Sequence, residues 1–275
     1  MNKTTINKTE RTLAGSSETR ACNFVDLDGE SYFKIARVNQ LPEFMMSLSS
    51  SSNHWMFISS YGALTAGRQN ADNALFPYYS ADKIVDTRNT AGPLTILRLS
   101  CSTGDEILWK PFEEDQPGES QFVRNLYKNS YGNKICFEEI NTELGLIFRY
   151  RWAFSHESGF VRTSHLLNVG ARNWNVDVLD GIQNIMPYGV DQNFQLQYGN
   201  LTDAYKKNEL LETGVGLFYL SSIPTDRAEP SEGLRATAVW ATQNRSGNFF
   251  ASAADLARDG DIREGTIDLW EVETG

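Results

Sequence analysis

The sequence is poor in histidine and cysteine, carries no excess of positive charge and contains no long apolar run. Each shortage excludes something. Only His54, His156 and His165 are present, and a metal site built on imidazoles needs two or three of them together with a carboxylate. His156 and His165 lie nine residues apart across a proposed hairpin turn, too far apart in strand geometry to be taken as neighbours. Three cysteines, Cys22, Cys101 and Cys136, are odd in number and widely spaced, which fits a reducing compartment rather than a disulfide framework. Lys plus Arg total 25 against 35 Asp plus Glu, a formal charge of −10. That balance argues against nucleic acid, whose phosphates attract Lys- and Arg-rich faces. Apolar runs such as Leu144–Phe148 fall far short of the roughly 20 residues of a membrane helix. HExxH, GxSxG, CxxC and a Gly-rich phosphate loop are all missing, so metal, serine-triad and nucleotide chemistry have no motif and no cofactor is expected. The first twenty residues are polar and lack an apolar h-region; no secretory signal is predicted, and cytoplasmic residence is expected.

What is present is alternation. The 275 residues are 40% apolar and 22% charged, a composition that folds and a length ample for a large core. In Ile147–Phe154, Phe148, Tyr150, Trp152 and Phe154 share one face. After the turn at 155–159, the run Phe160–Val169 places Val161, Thr163, His165, Leu167 and Val169 together. This predicts a long hairpin with Tyr150, Trp152, His165 and Leu167 buried. Further strands are predicted at Tyr32–Val38, Trp55–Ser59, Leu94–Leu99, Gln121–Tyr127, Lys134–Ile140, Trp174–Ile182, Val215–Leu220, Leu234–Ala241 and Ile267–Val272. Helices are predicted only at Leu201–Leu211, with Asn200 as N-cap, and at Ala253–Arg258 before Gly260. The expected fold is therefore all-β: two large, mostly antiparallel sheets packed face to face. Residues 1–20 read as a flexible arm and 21–275 as one sandwich domain, with Glu113–Ser120 a loop inside it. The strand-like ending at Trp270–Val272 suggests a piece of a longer protein.

Few residues suggest chemistry. Asp105-Glu106, Glu113-Glu114-Asp115 and Glu138-Glu139 are adjacent carboxylates. Neighbours on a strand point to opposite faces, so Glu138 and Glu139 cannot converge on one substrate; the others sit in loop-like, solvated sequence. The segment Asn53–Ile84 is more distinctive. It carries Trp55, Tyr61, Phe76, Tyr78 and Tyr79 around a polar, Gly-punctuated stretch holding Arg68, Gln69, Asn70, Asp72 and Asn73. Aromatic faces cover the apolar C–H patches of sugars, and planar polar groups bond their hydroxyls. Trp55, Tyr78 or Tyr79 would offer the ring face, and Arg68, Asn70 or Asp72 the hydrogen bonds. The plainer explanation is internal: aromatic anchors and polar caps that pack a long loop, with Arg68 paired to Asp72 or Asp82.

The runs WMFISSYGALTAG and FPYYSADKIVDTR resemble the opening of the large sugar-binding sandwich in the cellobiose phosphorylase family, with Trp55, Gly62, Gly67, Tyr79, Ser80 and Asp82 as the matching positions. Val178–Val190, Leu201–Leu210 and Glu232–Trp240 are similar to large bacterial cellobiose-phosphorylase-like proteins. The resemblance covers most of 53–240; the Gly-Gly-x-Ser turn of true phosphorylases is not reproduced at Arg68–Asn73. It implies a β-supersandwich related to the galactose mutarotase fold, followed by an (α/α)6 barrel that holds the catalytic acid. It also implies a domain that helps shape the site for an oligosaccharide or glucoside and can form a homodimer. No catalytic residue carries over to this chain.

Three readings remain open at the level of sequence. The first is a non-catalytic carbohydrate-binding domain of a glycoside hydrolase or phosphorylase. The second is a stand-alone aldose 1-epimerase, which needs a carboxylate and a base across the anomeric carbon; His165 with Glu138 or Asp180 would be the set. The third is a structural docking or dimerisation module.

Overall fold

The computed structural model describes residues 23–27, 29–78, 81–101, 104, 106–113, 122–221, 236–243 and 267–273. The expected arm at 1–20, the helix at 253–258, Cys22, Tyr79, Ser80, Asp105 and nearly all of the 113–120 loop lie outside the described residues. In chain order the strands are β1 (Asn23–Leu27), β2 (Glu30–Ile35), β3 (Met45–Ser49), β4 (His54–Ser59), β5 (Leu64–Arg68), β6 (Gly92–Ser100), β7 (Glu106–Trp109) and β8 (Phe122–Asn129). They continue with β9 (Ile135–Asn141), β10 (Leu146–Ser155), β11 (Gly159–Asn168), β12 (Asn175–Gln183), β13 (Lys206–Leu210), β14 (Gly216–Leu220), β15 (Thr237–Gln243) and β16 (Ile267–Glu273). Among the described residues α-helix is confined to the single turn α1 (Ala81–Ile84) and to α2 (Gln192–Tyr205).

Ten strands form one antiparallel sheet in the order β1-β2-β8-β9-β10-β11-β16-β15-β14-β13, and two three-stranded sheets, β12-β6-β7 and β3-β4-β5, complete the fold. One apolar cluster joins all three. Met56, Ile58 and Leu64 come from β4 and β5, Leu97, Trp109 and Val178 from β6, β7 and β12, and Phe137, Phe148, Trp152 and Phe160 from the ten-stranded sheet. Each such side chain contributes roughly 1.5–3 kcal/mol by leaving water. The fold is all-β and sandwich-like, as expected, built from one large and two small antiparallel sheets.

The β10–β11 hairpin forms as the alternation predicts, but the inward face of β11 is the other one. Tyr150 pairs with Ser164, Trp152 with Arg162 and Arg149 with His165. Directly opposed residues share a face, so the aromatic stripe of β10 carries Arg162 and Ser164 inward with it. Tyr150 and Trp152 are buried as expected; His165 and Leu167 are exposed. The weaker alternation of β11 was overruled by the stronger stripe of its partner.

The helix is also displaced. α2 starts at Gln192, where the Asp191 side chain caps the first turn by accepting from the Phe194 amide at 2.6 Å. It ends at Tyr205, and Lys206–Leu210, expected to be helical, is strand β13, hydrogen-bonded to β14. Pairing with a neighbour overrides the helix-favouring composition of this segment.

Candidate functional site

A cleft of about 290 Å³ opens between the β4–β5 turn, the start of β6, the segment following β7 and the inward face of β10. Gly62 makes its closest wall possible. Its φ is +93°, and a Cβ there would lie 2.9 Å from the Tyr150 hydroxyl, so only glycine gives both the turn and the approach. Tyr150 is 3% exposed and lines the cleft from below. Its ring is stacked on Phe137 (4.8 Å between centroids) and meets the edge of Phe112 at 5.1 Å. Burial pushes the pKa of its phenol well above the usual tyrosine range, against the opposing pull of Arg162, so the hydroxyl keeps its proton and can donate. It makes no hydrogen bond to any other described residue and faces the cleft.

Behind the Tyr150 ring lies a fully buried ion pair. Arg162 sits with its guanidinium carbon 5.1 Å from the ring centre. It donates twice to Asp180, each bond 2.7 Å, and its Nη2 also reaches Thr95 Oγ1 at 3.3 Å. The Thr95 hydroxyl donates to Asp180 Oδ1. Thr95 and Asp180 are register partners on β6 and β12, which is why one carboxylate can serve both. A bidentate, charge-assisted pair of this kind offsets the cost of burying two charges. Thr95 also lines the cleft.

The cations at the rim are matched by carboxylates. Arg88 bonds Glu43 at 2.6 Å and lies 5.0 Å over the Tyr61 ring; Lys110 pairs with Glu113 at 3.1 Å. Tyr61 is anchored by its hydroxyl to the Leu41 carbonyl. Asn89 and Gln183 add neutral amides. The site that results is aromatic, hydrogen-bonding and close to electrically balanced.

The residues singled out from the sequence lie elsewhere. Trp55 is half-buried, edge-on to Tyr78 at 5.9 Å, so these two are brought together. Asn70 accepts from the Asp72 amide and the Asn73 side chain. Asp72 accepts from the Gln192 amide at the start of α2, and the Tyr78 amide donates to Gln195. These bonds brace the loop against α2. Arg68 is half-buried at the end of β5, opposite His54 in register; Tyr79 is outside the described residues. None of Trp55, Arg68, Asn70, Asp72 and Tyr78 lines the cleft, although Tyr61 and Gly62 of the same 53–84 segment do. Tyr150, Thr95 and Arg162 were missed as site residues. The readable signal was Arg162, a charge in a strand whose partner stripe is aromatic.

The set His165, Glu138 and Asp180 does not converge. Asp180 is held by Arg162 in the interior, whereas His165 and Glu138 flank Arg149 in one row of the ten-stranded sheet. Glu138 is buried, and although burial opposes its ionisation, bonds from Asn125, Arg149 and Tyr127 hold it below the usual carboxylate range. Glu139, on the opposite face, accepts from Trp109, the Phe112 amide and Arg124. Among the described residues no three His, Cys, Asp or Glu side chains gather as a metal site would require, and no helix is long and apolar enough to cross a membrane. Protein-family models and curated proteins offer no match to the chain.

Proposed function

We propose that this chain is a carbohydrate-binding, non-catalytic domain and that the cleft beneath Tyr61 and Gly62 receives one neutral sugar ring. The observation that carries the reading is the Tyr150 hydroxyl, a protonated donor that a buried ring holds at the cleft wall with no described protein partner. The hydroxyl borders the cleft, so its donor is open to a guest, and a ligand hydroxyl can take that bond. Phe112 and Tyr61 supply apolar surface for ring C–H groups, and matched charges at the rim favour an uncharged guest. Glycoside cleavage uses two carboxyl groups roughly 5–9.5 Å apart; among the described residues one carboxylate, Glu113, lines this cleft, and it is paired with Lys110. The resemblance to cellobiose-phosphorylase-like enzymes supports the same reading, with a galactose mutarotase-like sandwich, a catalytic barrel elsewhere in the parent protein, a cytoplasmic setting and an optional homodimer as its corollaries.

The test is an NMR titration of the labelled chain with D-glucose, D-galactose, D-mannose, D-xylose and cellobiose. Binding in the millimolar range, about −4 kcal/mol, is expected, with shifts at Tyr61, Thr95 and Gln183, and Tyr150→Phe should weaken it about tenfold. Shifts confined to other faces, or affinity unchanged in Tyr150→Phe, would remove the cleft from consideration.

A further inference from the structure

The cleft has a hydrogen-bonding polarity, and the buried ion pair sets it. A threonine hydroxyl offers one donor and two acceptor positions. In Thr95 the proton is given to Asp180 and one lone pair is taken by Arg162 Nη2. Asp180 cannot turn away, because both its oxygens are fixed by Arg162, and all three side chains are buried. What Thr95 can still show to the cleft it lines is a single lone pair. Tyr150 presents the complementary function, an O–H that retains its proton and has no described partner. One wall therefore accepts and the other donates.

We infer, resting on the saccharide reading above, that Thr95 is a specificity-determining residue which accepts a hydrogen bond from one ligand hydroxyl, and that Arg162 and Asp180 are positioning residues which prevent it from donating. The favoured guest is a polyol bearing a free hydroxyl at that ring position. A ligand O–H can donate to Thr95 while accepting from Tyr150, as few other neutral groups do. An O-methyl ether at the same position accepts but cannot donate, and a deoxy position does neither.

The experiment uses the full chain and whichever panel sugar binds best, with its monodeoxy and mono-O-methyl analogues, in wild type, Thr95→Val and Thr95→Ser. In wild type one position should stand out, with deoxy and O-methyl analogues both about tenfold weaker than the parent. In Thr95→Val the discrimination against the O-methyl analogue should shrink to about twofold or less, since Asp180 keeps its two bonds from Arg162 while the ligand loses its acceptor, whereas the deoxy analogue, which still forfeits the bond from Tyr150, should stay weaker than the parent. Thr95→Ser, which retains the hydroxyl, should keep the wild-type ratio; a packing role for Thr95 would move affinity for all analogues alike. Equal binding of parent and analogues by wild type overturns the inference without any variant, and undiminished discrimination against the O-methyl analogue in Thr95→Val overturns it too. Loss of affinity in Tyr150→Phe alongside either result would leave the saccharide reading standing. Absence of binding by every panel sugar overturns both.

Discussion

His54 lies in β4 at 3% exposure, stacked near Phe154 and meeting the edge of Phe160, with the Ser50 and Ser52 hydroxyls 3.3 and 3.0 Å from its Nδ1. Burial, and then the proximity of Arg68 and His156, push its imidazole down to about 4 from 6.5. In the folded chain it stays neutral at pH values where the unfolded chain takes up a proton. Its contribution to stability is therefore complete above pH 6.5 and is lost as pH falls from 6.5 toward 4, on the order of 3 kcal/mol in all. Urea midpoints of wild type and His54→Gln should converge on acidification through that window, because only the wild type carries this penalty. Parallel losses in the two proteins would show that acid acts through other groups. Arg162 obeys the same physics with the opposite solution. A charge that cannot be neutralised is kept in the core by a carboxylate that meets it with two bonds.

Alternation in the sequence located most of the large sheet, because aromatic stripes such as Phe148-Tyr150-Trp152 leave little doubt about period or face. It located β4, β6, β8, β9 and β12 for the same reason. It did not reveal β1, β3, β5, β7 or β13, which are four to five residues long and owe their state to a neighbour rather than to their own pattern. The candidate site was legible only as a segment. Polar density at 68–73 marks a loop that satisfies itself against α2, whereas the cleft is assembled from five separate stretches and is visible in none of them. Gly67 shows how tightly that loop is folded back. A Cβ there would lie 2.4 Å from the Asn73 carbonyl oxygen and 2.6 Å from Trp55, at the point where Gly67 bridges to Ala74. Backbone cannot yield as a side-chain tip does, so Gly67→Ala should cost at least about 2 kcal/mol in chemical denaturation. A loss below about 0.5 kcal/mol would mean that the loop lifts off β5 without penalty.

At the scale of the molecule, the three sheets differ in size but not in independence. The sheet β3-β4-β5 does not keep an apolar face of its own: its Leu48, Met56, Ile58 and Leu64 belong to the cluster that also holds Trp109, Trp152 and Trp174. Phe76, just beyond β5, meets the ring of Trp152 at 6.2 Å, and Phe112, beyond β7, touches Phe137, Phe148 and Tyr150 in the large sheet. Peeling off either small sheet would uncover the ten-stranded one, so partial unfolding exposes apolar surface on both sides of the break. The cleft sits where all three sheets meet, and its walls can keep their spacing only while the layers stay joined. Urea unfolding should accordingly be one transition, with tryptophan fluorescence, to which all six tryptophans contribute, Trp109, Trp152 and Trp174 of the shared cluster among them, and far-ultraviolet circular dichroism, which reports strands everywhere, giving the same midpoint. A fluorescence change that precedes the loss of strand signal would mean that a small sheet detaches first, and that the cleft is lost before the fold is.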